Sequence, residues 1–226
     1  MIRQFTICAA VMAALAMAAP SYADNAPTVS ALAGVLKGQT EGTLSVFKDI
    51  PYAMPPVGAL RWRAPVPMPR WKGVKTATAF GPECVQPESK IASVYTGDPI
   101  PMSEDCLSLN IWAPTHAHNA PVFFWIYGGA LWGGANADPI YDGTQLAKRG
   151  VIVVTINYRL GVLGWLAHPE LSAENPLHIS GNYGLLDQIQ ALHWVKDNIA
   201  AFGGDPANVT IAGESAGGLI VMYLMA

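Results

Sequence analysis

The chain contains three hydrophobic runs, at residues 122–127, 151–156 and 209–212; the first is uninterrupted, and the other two each contain one threonine. Each run is short and rich in β-branched or aromatic residues, a composition typical of strands. Because apolar residues follow one another instead of alternating with polar ones, the runs predict strands that are buried on both faces of a sheet.

An amphipathic helix is predicted between the second and third runs. Apolar residues there recur at spacings of 4, 3, 3 and 4, and two glycines, Gly203 and Gly204, end the pattern. The apolar residues are Leu185, Ile189, Leu192, Val195 and Ile199. Buried strands separated by helices or long connections predict an α/β fold with a mostly parallel central sheet. In such sheets the chemistry collects at the carboxyl ends of the strands.

The N-terminal part of the chain has a different pattern. Short alternating runs at residues 29–37 and 43–47, joined by a polar segment at 38–42, predict a β-hairpin. The proline-rich segment 50–69 excludes a helix or a central strand, because proline lacks a backbone N–H. Large aromatic residues at Tyr52, Trp62 and Trp71 predict an ordered, extended loop that is pinned to the core.

Ser215 occupies the most informative turn. A β-branched run, G-E-S-A-G and then an apolar segment predict a strand, a sharp turn and a helix. Gly213 and Gly217 suit this turn, because a strand that reverses into a helix brings the backbones too close for side chains. The Ser215 hydroxyl would then project into a cleft beside unpaired N–H groups, as in a nucleophile elbow. Alone the pattern is weak, since roughly 0.1 matches per such chain arise by chance.

A second glycine-rich turn, residues 128–134, follows the first hydrophobic run. Glycines after a buried strand let backbone N–H groups face a cleft, which favours an oxyanion hole. A phosphate-binding loop is the rival interpretation. No Lys-Ser/Thr pair follows and no G-x-G-x-x-G pattern is present, so the hydrolase interpretation is preferred.

Residues 1–23 predict a cleaved signal peptide. Arg3 supplies the positive charge, residues 7–19 are apolar and residues 21–23 form a small-x-small cleavage site. A membrane anchor is disfavoured, because the apolar run is shorter than the ~20 residues that span a bilayer. We therefore expect an exported protein, periplasmic or secreted, without a membrane partner after cleavage. Loss of Arg3 with the signal peptide would leave 12 basic and 16 acidic residues, a net charge of −4. No basic cluster remains, which argues against a nucleic-acid partner.

Cys84 and Cys106 remain as a pair once Cys8 is removed with the signal peptide. An oxidising compartment favours a disulfide between them, and two buried free thiols are the alternative. The sequence contains no cluster of histidine and cysteine that would indicate a metal site, and we expect no cofactor.

Six segments, spread in order over nearly all the mature chain, resemble the type-B carboxylesterases. This is the branch of the α/β-hydrolases that also holds the cholinesterases and the neuroligins. The segments are F-K-D-I-P-Y-A-M-P-P-V-G-A-L-R-W, S-E-D-C-L-S-L-N, W-I-Y-G-G-A, I-N-Y-R-L-G-V-L-G-W-L, G-N-Y-G-L-L-D-Q and F-G-G-D-P-A-N-V-T-I-A-G-E-S-A-G-G. The resemblance also matches Cys84 and Cys106 to the first disulfide loop of that family.

The resemblance implies a role for each matching residue. Ser215 corresponds to the nucleophile that forms an acyl-enzyme. Gly129, Ala130 and Ala216 correspond to the residues whose N–H groups form the oxyanion hole. Glu214 also matches, but on a tight elbow its side chain points away from Ser215, so we expect it to support the site and not to act as the triad acid.

The chain order of the catalytic triad in this fold is Ser, then Asp or Glu, then His, and only residues 216–226 follow Ser215. All five histidines precede it, and none is expected to act as the base: His116, His118, His168, His178 and His193. We therefore expect residues 24–226 to be the N-terminal portion of a single, incomplete α/β-hydrolase domain whose sheet ends at the elbow. This portion alone is predicted to be inactive.

The implied function is hydrolysis of a small-molecule carboxylic ester. A catalytically silent, neuroligin-like interaction module is the alternative from another class, and acyl transfer to an alcohol would use the same residues. Residues 84–106 contain no tryptophan, which disfavours a quaternary ammonium substrate. Leu131 and Trp132 either line an acyl pocket or pack against the core. No feature of the sequence defines the oligomeric state.

Overall fold

The computed structural model describes residues 26–88, 93–95 and 97–226. The predicted signal peptide, residues 1–23, lies outside them and stays a prediction. The strands are β1 Thr28–Ala31, β2 Gly34–Lys37, β3 Gln39–Glu41, β4 Leu44–Pro51, β5 Val74–Thr76, β6 Glu83–Cys84, β7 Met102–Ser103, β8 Ser108–Pro114, β9 Ala120–Ile126, β10 Ile152–Ile156 and β11 Gly204–Gly213. The α-helices are α1 Thr144–Ala147, α2 Gly161–Trp165, α3 Pro169–Glu174, α4 Tyr183–Asn198 and α5 Ala216–Leu224, with 3-10 turns at Gly58–Leu60, Pro139–Tyr141 and Ile199–Phe202.

A six-stranded sheet in the order β11-β9-β10-β8-β4-β3 forms the centre of the fold. The three hydrophobic runs are β9, β10 and β11, and they pair in parallel as predicted. The other half of the sheet is antiparallel, so the expectation of a mostly parallel sheet holds only for these three strands. One cause lies in the connections, because β3 and β4 are joined by a two-residue link that only antiparallel strands allow.

The N-terminal segment forms two hairpins instead of the single predicted one. The run at residues 29–37 reverses on itself as β1 and β2, and the supposed connector contains β3, which pairs with β4. The reversal ends at Gly34, with φ of 146°, where an added Cβ would meet the Trp71 ring at 2.4 Å. The turn residues Leu32 and Ala33 carry no turn signal, which is why the pattern suggested one continuous strand.

Helices cover both faces of the central sheet. Ile111 and Val154 face the larger core, which also contains the inner side of α4 and Ile220 of α5. Their neighbours Trp112 and Val153 face a smaller core with Ala147 of α1. The alternation of sides along β8 and β10 follows from the two-residue period of a strand.

The proline-rich segment is pinned by the three predicted aromatic residues. The Tyr52 hydroxyl donates to the Asn157 carbonyl oxygen at 2.6 Å, and its side chain is fully buried. The indole N–H of Trp62 donates to the Val162 carbonyl oxygen, and that of Trp71 to the carbonyl oxygen of Val35. Cys84 and Cys106 form the predicted disulfide. No helix among the described residues is long and apolar enough to cross a bilayer.

Candidate active site

Ser215 stands on a sharp bend between β11 and α5. Its backbone has φ of 53° and ψ of −120°, a conformation that costs a non-glycine residue about 1–3 kcal/mol. The bend is closed by the Gly217 N–H, which donates to the Glu214 carbonyl oxygen at 2.8 Å. Ser215 is exposed, so its hydroxyl is accessible at the carboxyl end of the sheet. The structure therefore has the strand, sharp turn and helix that the sequence predicted.

The glycine-rich stretch 128–134, here called the glycine turn, follows β9. Three consecutive residues have positive φ: Gly129 at 92°, Ala130 at 54° and Leu131 at 66°. The Gly129 carbonyl oxygen accepts hydrogen bonds from the N–H groups of Trp132 and Gly133, at 2.9 and 3.2 Å. These two bonds hold the Gly129 carbonyl oxygen toward the residues that follow it in the turn.

The glycine turn and the serine bend lie against each other. A Cβ added to Gly128 would stand 2.9 Å from the Ser215 Cβ and 2.6 Å from Glu214 Oε2. The contact follows from the sheet, because Ile126 at the end of β9 pairs with Gly213 at the end of β11. Ala216 is the first residue of α5, where an N–H has no acceptor within the helix. The three predicted N–H donors thus belong to the two segments that meet at Ser215.

Glu214 places its carboxylate under the glycine turn, beside Gly128. Tyr141 lies close to both Gly128 and Glu214. Its ring stacks on that of Tyr127 with centroids 6.4 Å apart. Burial raises the pKa of Tyr141, and the charges of Asp138 and Glu214 raise it further. Tyr141 is therefore a neutral hydroxyl group behind the turn. Nothing in the sequence pattern singled it out.

Tyr127 and Tyr158 support the glycine turn from the core. Their rings stack with centroids 4.5 Å apart, and the Tyr158 hydroxyl donates to the Tyr127 carbonyl oxygen at 2.8 Å. Burial raises the pKa of both hydroxyl groups, so both remain protonated. Sequence reasoning missed this pair, because an apolar run that ends in tyrosine gives no sign of its partner.

A buried ion pair joins Arg159, just after β10, to Asp187 on α4. Arg159 donates from Nε to Oδ2 at 2.8 Å and from Nη2 to Oδ1 at 2.6 Å. The Arg159 backbone N–H also donates to Oδ2 at 3.0 Å. Burial raises the pKa of Asp187, and the hydrogen bond and charge of Arg159 oppose that rise. The pair fixes α4 to the segment that follows β10 at the carboxyl end of the sheet.

The histidines hold other positions. His116 and His118 lie in the connection that enters β9, at the edge of the sheet opposite to Ser215. His168 caps α3, its Nδ1 accepting from the Glu170 N–H at 3.3 Å. His193 lines a shallow cavity with Tyr223, which lies eight residues beyond Ser215 and so roughly 12 Å along the α5 axis. Among the described residues, no group of three or more His, Cys, Asp or Glu side chains could hold a metal ion.

A sheet with parallel central strands, a strained serine between strand and helix and a glycine turn on the neighbouring strand together define the α/β-hydrolase fold. The sequence model of the carboxylesterase family matches residues 25–226, and the chain belongs to that family.

Similar proteins carry esterase names. The chain is 52% identical over 195 residues to a para-nitrobenzyl esterase from Bacillus subtilis (strain 168), and the match covers 85% of this chain and 39% of that protein. It is 51% identical over 187 residues to a fumonisin B1 esterase from Sphingopyxis macrogoltabida, covering 81% and 34%. A solved structure of a PNB esterase superposes with a TM-score of 0.82 at 48% identity, covering 88% of this chain and 40% of that one. The chain thus spans between a third and two fifths of these relatives.

Proposed function

We propose that this chain provides the nucleophile and the oxyanion hole of a carboxylic ester hydrolase. The observation that carries the proposal is the strained, exposed Ser215 in contact with the glycine turn. Ser215 Oγ would attack the ester carbonyl carbon and transfer its proton to a base. The alcohol would leave with that proton, and water would then release the acid from the acyl-enzyme.

The N–H groups of Gly129, Ala130 and Ala216 are proposed to bind the oxyanion of each tetrahedral intermediate. Ala130 can take this role in place of a glycine, because only its backbone N–H is used. Donors held in place before the reaction cost no reorganisation, and removal of one typically lowers the rate ~10²–10³-fold. Glu214, beneath Gly128, is proposed to hold the turn against the elbow.

We assign neither the acid nor the histidine of the triad to a residue of this chain, because the histidines whose contacts are described belong to other parts of the fold. We propose that the chain alone is inactive and that these two groups come from additional residues. Retention of the serine elbow argues against a catalytically silent, neuroligin-like module. The substrate class is a small-molecule ester, in keeping with the names of the relatives.

A chimera tests the proposal. Residues 24–226 replace the matching segment of the Bacillus subtilis esterase, and hydrolysis of para-nitrophenyl esters and labelling by a fluorophosphonate probe are measured. We expect the chimera to be active and labelled, Ser215→Ala to reduce both to background, and the chain alone to show no turnover. The half-buried Ser172→Ala, on α3, is the matched control and should change neither. A folded chimera as active with Ser215→Ala as without it would refute the assignment.

Export is also proposed, on the pattern of residues 1–23 and on the disulfide between Cys84 and Cys106. Mass determination of the mature protein from its native host should give cleavage before Asp24. A full-length product that begins at Met1 would contradict it.

A further inference from the structure

The glycine turn contains more backbone strain than its sequence explains. Ala130 and Leu131 both adopt the left-handed region, which is unfavourable for a residue with a side chain. Such conformations persist only where the surroundings over-determine them. The contacts that hold the turn are therefore part of the site.

Backbone hydrogen bonds hold the first half of the turn. The Gly129 carbonyl oxygen accepts from Trp132 and Gly133, and the Leu131 carbonyl oxygen accepts from the Gly161 N–H at 2.8 Å. The second half ends at Gly134, with φ of 106°, where a Cβ would meet the Tyr127 ring at 2.6 Å. Gly133 and Gly134 have no side chains, so a side-chain hydrogen bond that restrains this end of the turn has to come from another segment of the chain.

Gln86 supplies that hydrogen bond from the disulfide loop. The Gly134 N–H donates to Gln86 Oε1 at 2.8 Å, and Gln86 Nε2 donates to the Gly134 carbonyl oxygen at 3.1 Å. One side-chain amide therefore pairs with both polar groups of one backbone residue. The same Oε1 would stand 3.0 Å from a Cβ added to Gly133, so the amide also limits how far the turn can move.

The orientation of the Gln86 amide is itself fixed. Nε2 also lies 3.2 Å from Glu83 Oε2 and 3.3 Å from the Cys84 carbonyl oxygen, so its two N–H groups are shared among three acceptors, with the Gly134 carbonyl oxygen as the third. A carboxylate accepts hydrogen bonds and cannot donate them, so Nε2 must face Glu83 and Oε1 must face Gly134. The backbone of Gln86 is held two residues earlier, where Cys84 is bonded to Cys106.

We propose that Gln86 is a positioning residue for the oxyanion hole, acting through Gly134 to keep the Gly129 and Ala130 N–H groups in their strained arrangement. It does not touch the substrate. The catalytic part of this inference rests on the proposed function, whereas the restraint on the turn does not. The disulfide loop thereby contributes to the site, although neither cysteine belongs to the catalytic machinery.

Hydrogen exchange on the chain tests the restraint directly. Gln86→Met preserves the length of the side chain and removes both hydrogen bonds to Gly134. We expect peptides that cover residues 128–134 to exchange about 5- to 150-fold faster, the range that corresponds to the roughly 1–3 kcal/mol that two such bonds contribute.

Gln190→Met is the matched control. Gln190 Nε2 donates to the Tyr52 carbonyl oxygen at 3.4 Å, so this variant also removes one amide hydrogen bond to the backbone. It should leave the exchange of the glycine turn unchanged. Unchanged exchange in Gln86→Met would overturn the proposal. An equal acceleration of peptides from α4 would overturn it as well, because Gln86 would then be a general stabiliser.

A kinetic measurement separates positioning from simple stability. In the active chimera, Gln86→Met should lower kcat about 10–100-fold with little change in KM, because oxyanion contacts are made in the transition state. A rise in KM at constant kcat would contradict the role. If Ser215 proves not to be the nucleophile, the exchange result still decides whether Gln86 restrains the turn, so the two failures are distinguishable.

Discussion

Gly217 packs so closely against Ile126 that a Cβ added to Gly217 would stand 2.1 Å from the Ile126 carbonyl oxygen. The contact joins the start of α5 to the end of β9, the neighbour of β11. Gly213 is similarly confined, since its Cβ would lie 2.4 Å from the Gly217 carbonyl carbon. The elbow can therefore close only with glycine at both positions, and Ser215 is held in its conformation by these contacts.

Gly217→Ala should consequently destabilise the fold. The clash is with backbone atoms of a central strand, which cannot move aside, so we expect a loss of about 3 kcal/mol or more in the free energy of unfolding. Gly42→Ala is the control, because Gly42 has positive φ but open space around it, and the expected cost is about 1–2 kcal/mol. Urea unfolding measures both. Equal losses would show that the elbow is not constrained by this contact.

The ion pair between Arg159 and Asp187 gives a second prediction. Asp187→Asn removes one charge and leaves the other buried, and breaking a buried pair in this way costs about 3–5 kcal/mol. Arg159→Met combined with Asp187→Asn should recover most of that loss, since no unpaired charge remains and Asn can still accept from the backbone N–H. The measurement is the urea midpoint of each variant. A single variant within about 1 kcal/mol of the wild type would contradict the expectation.

The parts of the fold that the sequence revealed are those in which local pattern and tertiary environment agree. β9, β10 and β11 are buried on both faces, so their hydrophobic runs identified them. The elbow was predictable because Gly213 and Gly217 stand where a strand that reverses into a helix leaves no room for a side chain. The hairpins at the N terminus were not, because the reversal before Gly34 depends on Trp71, which is distant in sequence and fills the space of the missing side chain.

The supporting residues of the site escaped prediction for a related reason. Gln86 is a lone glutamine in an irregular loop, two residues after the disulfide-bonded Cys84, and its contact with Gly134 spans 48 positions of the sequence. The same holds for Tyr141, whose neighbours come from β9 and from the elbow. A motif identifies groups adjacent in sequence, whereas these contacts arise from how the loops fold over the sheet.

Asp138 gives the chain a predictable pH dependence. Burial raises the pKa of Asp138 from 3.8 to about 6, Glu83 adds to the effect, and a hydrogen bond from the Ala135 N–H opposes it. The folded state thus binds this proton more tightly than the unfolded state does. The resulting stability is present below about pH 4 and is lost as the pH rises through about 6.

Asp138→Asn should remove this dependence, because Asn retains an acceptor for the Ala135 N–H and has no charge. The variant should match the wild type near about pH 4 and be more stable at neutral pH. Thermal unfolding across this range checks the sign. Asp197→Asn, at an exposed position on α4, is the control and should shift the curve little. Greater stability of the wild type at neutral pH would contradict the expectation.

An apolar cavity beside the glycine turn indicates where the hydrophobic part of an ester would bind. Its volume is about 300 Å³, and it is lined by Leu131 and Trp132 from the turn and by Val162 and Trp165 from α2. Trp132 is 58% exposed, so it contributes little to the core. This exposure favours the pocket interpretation of Trp132 over the packing one.

Trp132→Ala in the active chimera should therefore leave the thermal midpoint within a few degrees of the parent and weaken binding of long-chain esters. Loss of the aromatic contact should raise KM for para-nitrophenyl hexanoate about tenfold, because such a contact contributes roughly 1–3 kcal/mol. The acetate ester has a much shorter acyl group, and we expect it to be affected much less. Leu32→Ala, also well exposed but in the first hairpin, should change neither KM. Equal effects on both esters would show that Trp132 shapes the turn and does not bind the apolar group.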